Sequence, residues 1–154
     1  MVSFGPEVRK SFPLPVWPHR PGENERPKED LRSPVSSSLD LQLSSMNWAS
    51  HDAYLYGFFL YRWGYYWEAH EIWEPVWMQC PPNSIERLLL QAIIQIANAA
   101  LKESQHKTKA ATRLQSIALE LLREVIVRRN GACVSDSFLG VELEELEGQL
   151  QRVV

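Results

Sequence analysis

Residues 64–78 read Gly-Tyr-Tyr-Trp-Glu-Ala-His-Glu-Ile-Trp-Glu-Pro-Val-Trp-Met, and they predict an aromatic helix. At roughly 100° per residue, several side chains fall within about 60° of the direction of His70. These side chains are Tyr66, Trp67, Trp73, Glu74 and Trp77. We expect a face of this size to be buried. An ionisable His70/Glu74 pair inside it then needs partners, because burying an unpaired polar group is costly.

The spacing of His70 and Glu74 determines what the pair can do. Residues four apart lie on adjacent turns of a helix, so the two can hydrogen-bond or bind the same metal ion. Glu71 lies about a quarter turn away and Glu68 farther still, so we expect both to face solvent more readily. A zincin His-Glu-x-x-His motif lacks its second histidine here, and a di-iron bundle lacks its repeated Glu-x-x-His, so both classes are excluded.

The following helix carries a polar stripe on an otherwise apolar surface. The stripe consists of Arg87, Gln91, Gln95, Asn98 and Lys102. One interpretation is an ordinary solvated face. The other is that carboxamides such as Gln91 and Gln95 face the His70/Glu74 pair and complete its hydrogen bonds, as outer partners do around metal ligands.

Helix signals continue on both sides of the aromatic segment and predict the fold class. We expect helices at about 51–63, 65–78, 83–103, 108–129 and 141–153. Pro75 predicts a kink or an early end of the second helix. Asn83 and Glu86 predict a capping box at the start of the third helix, and Gly131 predicts the end of the fourth. Strand alternation and phosphate-binding glycine loops are absent from the sequence. The prediction is an all-α, single-domain bundle of about five helices.

Residues 1–48 differ in composition, since seven of the ten prolines lie between Pro6 and Pro34. Prolines interleaved with charges do not support a helix, so we expect an extended, polyproline-like arm followed by a helical domain at residues 49–154. The arm also carries the large apolar residues Phe12, Leu14, Val16 and Trp17. They leave two interpretations open, a disordered leader or an arm that lies partly across the helical body.

Composition and charge limit the function classes. The chain has 154 residues, of which 45% are hydrophobic, enough for one buried core. A net charge of −3 argues against nucleic acid as a partner, and the longest apolar run, residues 53–61, is too short to span a membrane. Cys80 and Cys133 form no disulfide or zinc pattern. We therefore expect a cytoplasmic protein.

At His70, Glu74 and Trp77 the chain resembles a bacterial and archaeal family, the domain of unknown function 309, whose signature is His-x-x-x-Glu-x-x-Trp or Tyr. The resemblance runs from around Tyr54 to Leu122 and includes Leu-Leu-Gln-Ala-Ile-Ile-Gln at residues 89–95. It implies an all-helical bundle with a suspected metal or ligand site at His70 and Glu74. It implies no established activity.

Three function classes remain open from the sequence. One is a metal-dependent enzyme of unidentified reaction, with Glu74 as base and His70 as ligand or proton shuttle at a divalent ion. Another is a module that binds a small molecule in a pocket beside the tryptophans. The third is a structural or protein-interaction bundle, with an oligomer or protein partner, in which His70 and Glu74 are a buried hydrogen-bonded pair. The candidate ligand-binding residues are His70, Glu74, Trp77, Glu71, Trp67, Gln91 and Gln95, with His70 and Glu74 as candidate metal ligands.

Overall fold

The computed structural model describes residues 2–130 and 137–154, and their helical content confirms the predicted all-α class. The α-helices in this part of the chain are α1 (Asp52–Arg62), α2 (Tyr66–Gln79), α3 (Ile85–Ser104), α4 (Thr108–Arg129) and α5 (Leu143–Val153). A small antiparallel hairpin of β1 (Ser137–Phe138) and β2 (Val141–Glu142) precedes α5. The sequence does not predict this hairpin, because strands of two residues are too short to show alternation.

The helix ends agree with the sequence to within two residues, with two corrections. The cap of α3 is Ser84, whose hydroxyl accepts the N–H of Arg87 at 3.1 Å, and the predicted cap Asn83 is wrong. Asn83 has φ of 63°, whereas Ser84 has the extended backbone of a cap residue. The predicted early end at Pro75 is also wrong, since α2 runs through it to Gln79. Gly131, predicted to end the fourth helix, and Cys133 lie outside the described residues.

The helices pack in chain order, α1 on α2, α2 on α3, α3 on α4 and α4 on α5. Contact between α1 and α2 depends on Gly57, because a side chain there would collide with the indole of Trp73. Without that side chain, Trp73 lies completely buried and its Nε1 donates to the carbonyl of Tyr54 at 2.9 Å. This contact helps to fix α2, the helix that carries the candidate site, against the core.

The N-terminal arm is held to the helical body chiefly through its backbone carbonyls. Tyrosine hydroxyls of the body donate to these carbonyls in three places. The pairs are Tyr61 with Val2 (2.6 Å), Tyr56 with Pro13 (2.6 Å) and Tyr65 with Pro15 (2.8 Å). Arg62 adds bonds to the carbonyls of Phe4 (2.9 Å) and Gly5 (3.0 Å). Proline has no N–H, so a proline-rich segment offers mainly carbonyls for such docking.

Side chains of the arm also enter the core, so the arm lies across the body. Phe12 is buried and stacks on Tyr56 with ring centroids 4.9 Å apart, and Val2 and Phe4 are buried as well. The other apolar residues singled out in the arm, Leu14, Val16 and Trp17, are exposed. The arm is not extended throughout, because Ser33–Ser38 and Trp48–Ser50 form 3₁₀ helices. A domain boundary after residue 48 stays a prediction.

None of the described helices is both long enough and apolar enough to cross a membrane.

Candidate functional site

His70, Glu71 and Glu74 form a cluster on the outer side of α2. The Nε2 atom of His70 lies 3.0 Å from Oε2 of Glu74, and its Nδ1 lies 3.7 Å from Oε1 of Glu71. Each residue offers one ligand atom such that all three atoms lie within 4.8 Å of one another. The helix itself brings them together, since neighbouring turns place residues one and four positions apart beside the same histidine.

The predicted burial of the His70/Glu74 pair is wrong. The side chain of His70 is 25% exposed and that of Glu74 is 48% exposed. The fully buried residues of α2 are Ala69, Ile72, Trp73 and Val76. Their mean direction is about 110° around the helix from His70, so the core-facing side of α2 contains three aliphatic side chains and only one of its three indoles, Trp73.

Glu68 was expected to face solvent, and this expectation is wrong because its side chain is buried. It is 2% exposed and lies under the arm, where its Oε2 accepts the backbone N–H of His19 at 2.9 Å. Its Oε1 is buried without a hydrogen-bond partner among the described residues. Burial raises the pKa of the Glu68 carboxyl, and the hydrogen bond from His19 opposes part of that rise. Glu68 therefore anchors the arm and is not part of the exposed cluster.

Trp67 and Trp77 flank the cluster along α2, and each is half-buried beneath an arginine. The guanidinium of Arg26 lies 5.1 Å from the ring of Trp67, and the ring of His19 meets the same indole edge-on at 4.7 Å. Arg87 lies 4.0 Å from the ring of Trp77. The two indoles are thus covered by cations, an arrangement that stabilises such pairs by roughly 0.5–1 kcal/mol at exposed sites.

The carboxamides of α3 do not complete the cluster through hydrogen bonds. Gln91 and Gln95 are half-buried, and in the described part of the chain neither bonds to His70 or Glu74. Arg87, the first residue of the polar stripe, instead donates to the carbonyl of Cys80 at 2.8 Å and so ties α3 to the end of α2. A ligand-binding role for Gln91 and Gln95 stays a prediction.

The cavities of the molecule lie mainly away from this cluster. A groove of about 940 Å³ runs between the arm, Trp48 and the hairpin, and no residue of α2 lines it. A cavity of about 10 Å³ beside Trp67 and Glu68 has room for about one water. Trp73, expected beside a ligand pocket, packs in the core instead. The arrangement around His70 is therefore an open surface site.

A buried histidine, His51, and a buried cysteine, Cys80, have structural roles away from the cluster. His51 is 1% exposed and caps α1, because its Nδ1 accepts the N–H of Tyr54 at 3.2 Å. Its Nε2 then carries the proton and donates to the carbonyl of Leu41 at 3.0 Å. Cys80 is buried, and burial raises the pKa of its thiol to about 11, so it stays protonated and unreactive near neutral pH. The capping role of His51 could not be predicted from the sequence, since histidine is not a usual N-cap residue.

One of three comparisons with known proteins found a match, and the matched range includes the helix that carries the cluster. A family described as Domain of unknown function (DUF309) matches residues 54–114, a range that contains α2 and α3 entirely. This confirms the resemblance seen in the sequence. No curated protein and no solved structure matched the chain.

Proposed function

Because residues 54–114 belong to the DUF309 family, with the signature residues His70 and Glu74 side by side on α2, we propose that this domain binds a divalent metal ion. The ligands are His70, Glu71 and Glu74. One observation carries the proposal, the placement of an imidazole nitrogen and two carboxylate oxygens within 4.8 Å of one another.

The distances suit a single ion. Two ligand atoms that each lie about 2.1 Å from a metal are roughly 3.0–3.4 Å apart when adjacent, and His70 Nε2 and Glu74 Oε2 are already 3.0 Å apart. The carboxylate of Glu71 lies nearest the other ring nitrogen, Nδ1, at 3.7 Å, so Glu71 must reorient to share an ion bound at Nε2. One imidazole with two carboxylates favours Zn²⁺, Mn²⁺ or Fe²⁺ over softer metals.

The exposure of the cluster matters for chemistry. Three protein ligands on one face of a helix leave the remaining coordination positions open to water or a substrate oxygen. An open position of this kind is typical of catalytic metal sites, whereas structural sites are closed by a fourth protein ligand. Glu74, as the most exposed of the three, is the group best placed to exchange between ligand and base.

The second candidate is a non-catalytic bundle in which His70 and Glu74 only pair with each other. The 3.0 Å separation favours it, because that is also the distance of an ordinary ion pair. Such an i, i+4 pair contributes about 0.2–0.5 kcal/mol to a helix. Under this reading, replacing His70 changes stability slightly and changes no metal content.

Metal content separates the two candidates. The full chain, freed of tag and chelator, is dialysed against Zn²⁺ or Mn²⁺ and its bound metal measured by elemental analysis. We expect close to one ion per chain, lost in His70→Ala and weakened in Glu74→Gln. His106→Ala, which removes an exposed imidazole elsewhere, is the matched control and should keep its metal. Equal metal binding by His70→Ala and the unmodified chain would overturn the proposal.

A further inference from the structure

Five basic residues lie in or beside the turn between α3 and α4. We call them the basic patch: Arg20, Lys102, Lys107, Lys109 and Arg113. The backbone N–H of Lys107 donates to the carbonyl of Lys102 at 2.8 Å, which closes the turn. Gln105 in that turn donates to the carbonyl of Pro21 at 3.0 Å, which brings the arm alongside. Lys109 and Arg113 are four residues apart on α4 and share a face.

The charges of the basic patch are not neutralised within the molecule. No ion pair engages any of its five side chains in the described ranges, 2–130 and 137–154. Other cations are paired, such as Lys10 with Asp52 at 2.8 Å and Arg128 with Glu124 at 2.8 Å. Glu103 lies beside the patch and keeps its negative charge while it accepts a hydrogen bond from the neutral amide of Gln115 at 2.8 Å, so it offsets only one of the five positive charges. A local excess of positive charge therefore stands out on a chain whose net charge is −3.

Helix stability does not account for Lys109, although Lys102, in the last turn of α3, does favour the dipole of that helix. The other four α-helices in the described residues each carry an acid in the first turn, where it favours the helix dipole. The first turn of α4 has no acid and contains Lys109. A positive charge at that end opposes the dipole by about 0.3–1 kcal/mol. Lys109 therefore stands at a position where its charge opposes the helix, which leaves an interaction with an outside anion as a reason for it.

We propose that the basic patch is a docking surface for a short acidic segment of a partner protein. Lys109 and Arg113 are about 6 Å apart along the helix axis, which is close to the spacing of alternate residues in an extended peptide. Carboxylates at every second position of such a segment meet both cations. The surface is independent of the metal proposal, since none of its residues belongs to α2.

The chemistry of the patch favours a protein segment over other anions. Residues 102–113, which supply all of the patch except Arg20, contain no Phe, Tyr or Trp, so they lack the side chains on which unpaired bases stack. The exposed large apolar side chains, among them Trp63 and Met78, all lie outside residues 102–113, so nothing there would insert into a lipid surface. Charge complementarity alone is what the patch offers, and that suits weak, salt-sensitive recognition of carboxylates.

The test uses the full chain and a fluorescently labelled octaglutamate peptide, followed by anisotropy at low salt. We expect saturable binding that weakens about fourfold in the double variant Lys107→Gln, Lys109→Gln, because each of the two screened ion pairs contributes roughly twofold. Raising the salt from about 50 to about 200 mM should weaken it further. The matched control, Lys28→Gln with Arg152→Gln, removes two unpaired exposed cations elsewhere and should leave affinity unchanged.

Three outcomes overturn this proposal. One is the absence of saturable octaglutamate binding. Another is an equal loss of affinity in the control variant, which would mean attraction to charge in general. The third is tighter binding of an octauridylate or of phosphatidylserine vesicles than of the peptide, which would assign the surface to RNA or to membrane.

Discussion

Replacing Gly57 by alanine tests how α2 is placed against α1. The added Cβ would lie within 3.0 Å of three indole atoms of Trp73, a separation that real Cβ atoms do not show. Trp73 is completely buried, so its ring has no free space into which to move. Overpacking of this kind costs about 1–3 kcal/mol. If the indole shifts, its bond to the carbonyl of Tyr54 is lost as well, at about 1–3 kcal/mol for a buried polar group left unpaired.

An opposing term reduces this cost, since alanine is favoured over glycine in a helix by about 0.8–1 kcal/mol. The balance is a loss of about 1–5 kcal/mol in the free energy of unfolding, with the upper part of the range reached when the indole hydrogen bond is lost. Urea unfolding followed by tryptophan fluorescence and by circular dichroism measures it. Gly148→Ala in α5 is the control, because its Cβ would meet only the end of Arg152 at 3.5 Å and should stabilise the protein. A Gly57→Ala protein as stable as the unmodified chain would refute the proposed contact.

Two further predictions concern the pH dependence and the helix caps. Burial, aided by the charge of Glu68, raises the pKa of Tyr56 to about 12, so the folded protein keeps a proton that the unfolded chain loses above its ordinary value near 10. Stability from this phenol should be complete below pH 10 and fall as the pH rises through about 12; urea midpoints measured across that window should show a shallower fall in Tyr56→Phe. Ser84→Ala should lower the free energy of unfolding by about 1 kcal/mol, whereas Asn83→Gly should be neutral or stabilising because of the positive φ at Asn83. Thermal melts of the two variants check this, and a larger loss in Asn83→Gly would restore Asn83 as the cap.

The helices could be predicted because their signals are local. The apolar spacing of Leu143, Leu146 and Leu150 places α5, and all three residues are buried. The cap of α3 could be predicted only to within one residue, since Asn83 and Ser84 are both good cap residues and the choice between them depends on backbone torsions. The hairpin of two-residue strands has no periodic pattern to detect.

The candidate site could be located from the sequence, but its environment could not. The spacing of His70 and Glu74 predicts their contact correctly, because helix geometry is the same in every context. Which side of α2 faces the core depends on α1 and α3. The prediction from 100° per residue took the tryptophan-rich side as the buried one, and that was wrong for Trp67 and Trp77, which are half-buried. Trp67 and Trp77 are covered by Arg26 and Arg87, from the arm and from α3, and no local pattern predicts such long-range partners.

The way the arm is held has a consequence for how its order would be detected. Between residues 4 and 18 the backbone groups that attach it are carbonyl oxygens, and Lys10 adds one side-chain ion pair to Asp52. No backbone N–H of that stretch donates to the helical body within the described residues. Amide hydrogen exchange registers only protected N–H groups, so it would report this stretch as unfolded although its side chains and carbonyls are fixed. The backbone N–H groups of the non-proline residues in this stretch would exchange at nearly the rate of a random coil. Limited proteolysis or the fluorescence of nearby tyrosines would reveal the docked arm that exchange overlooks.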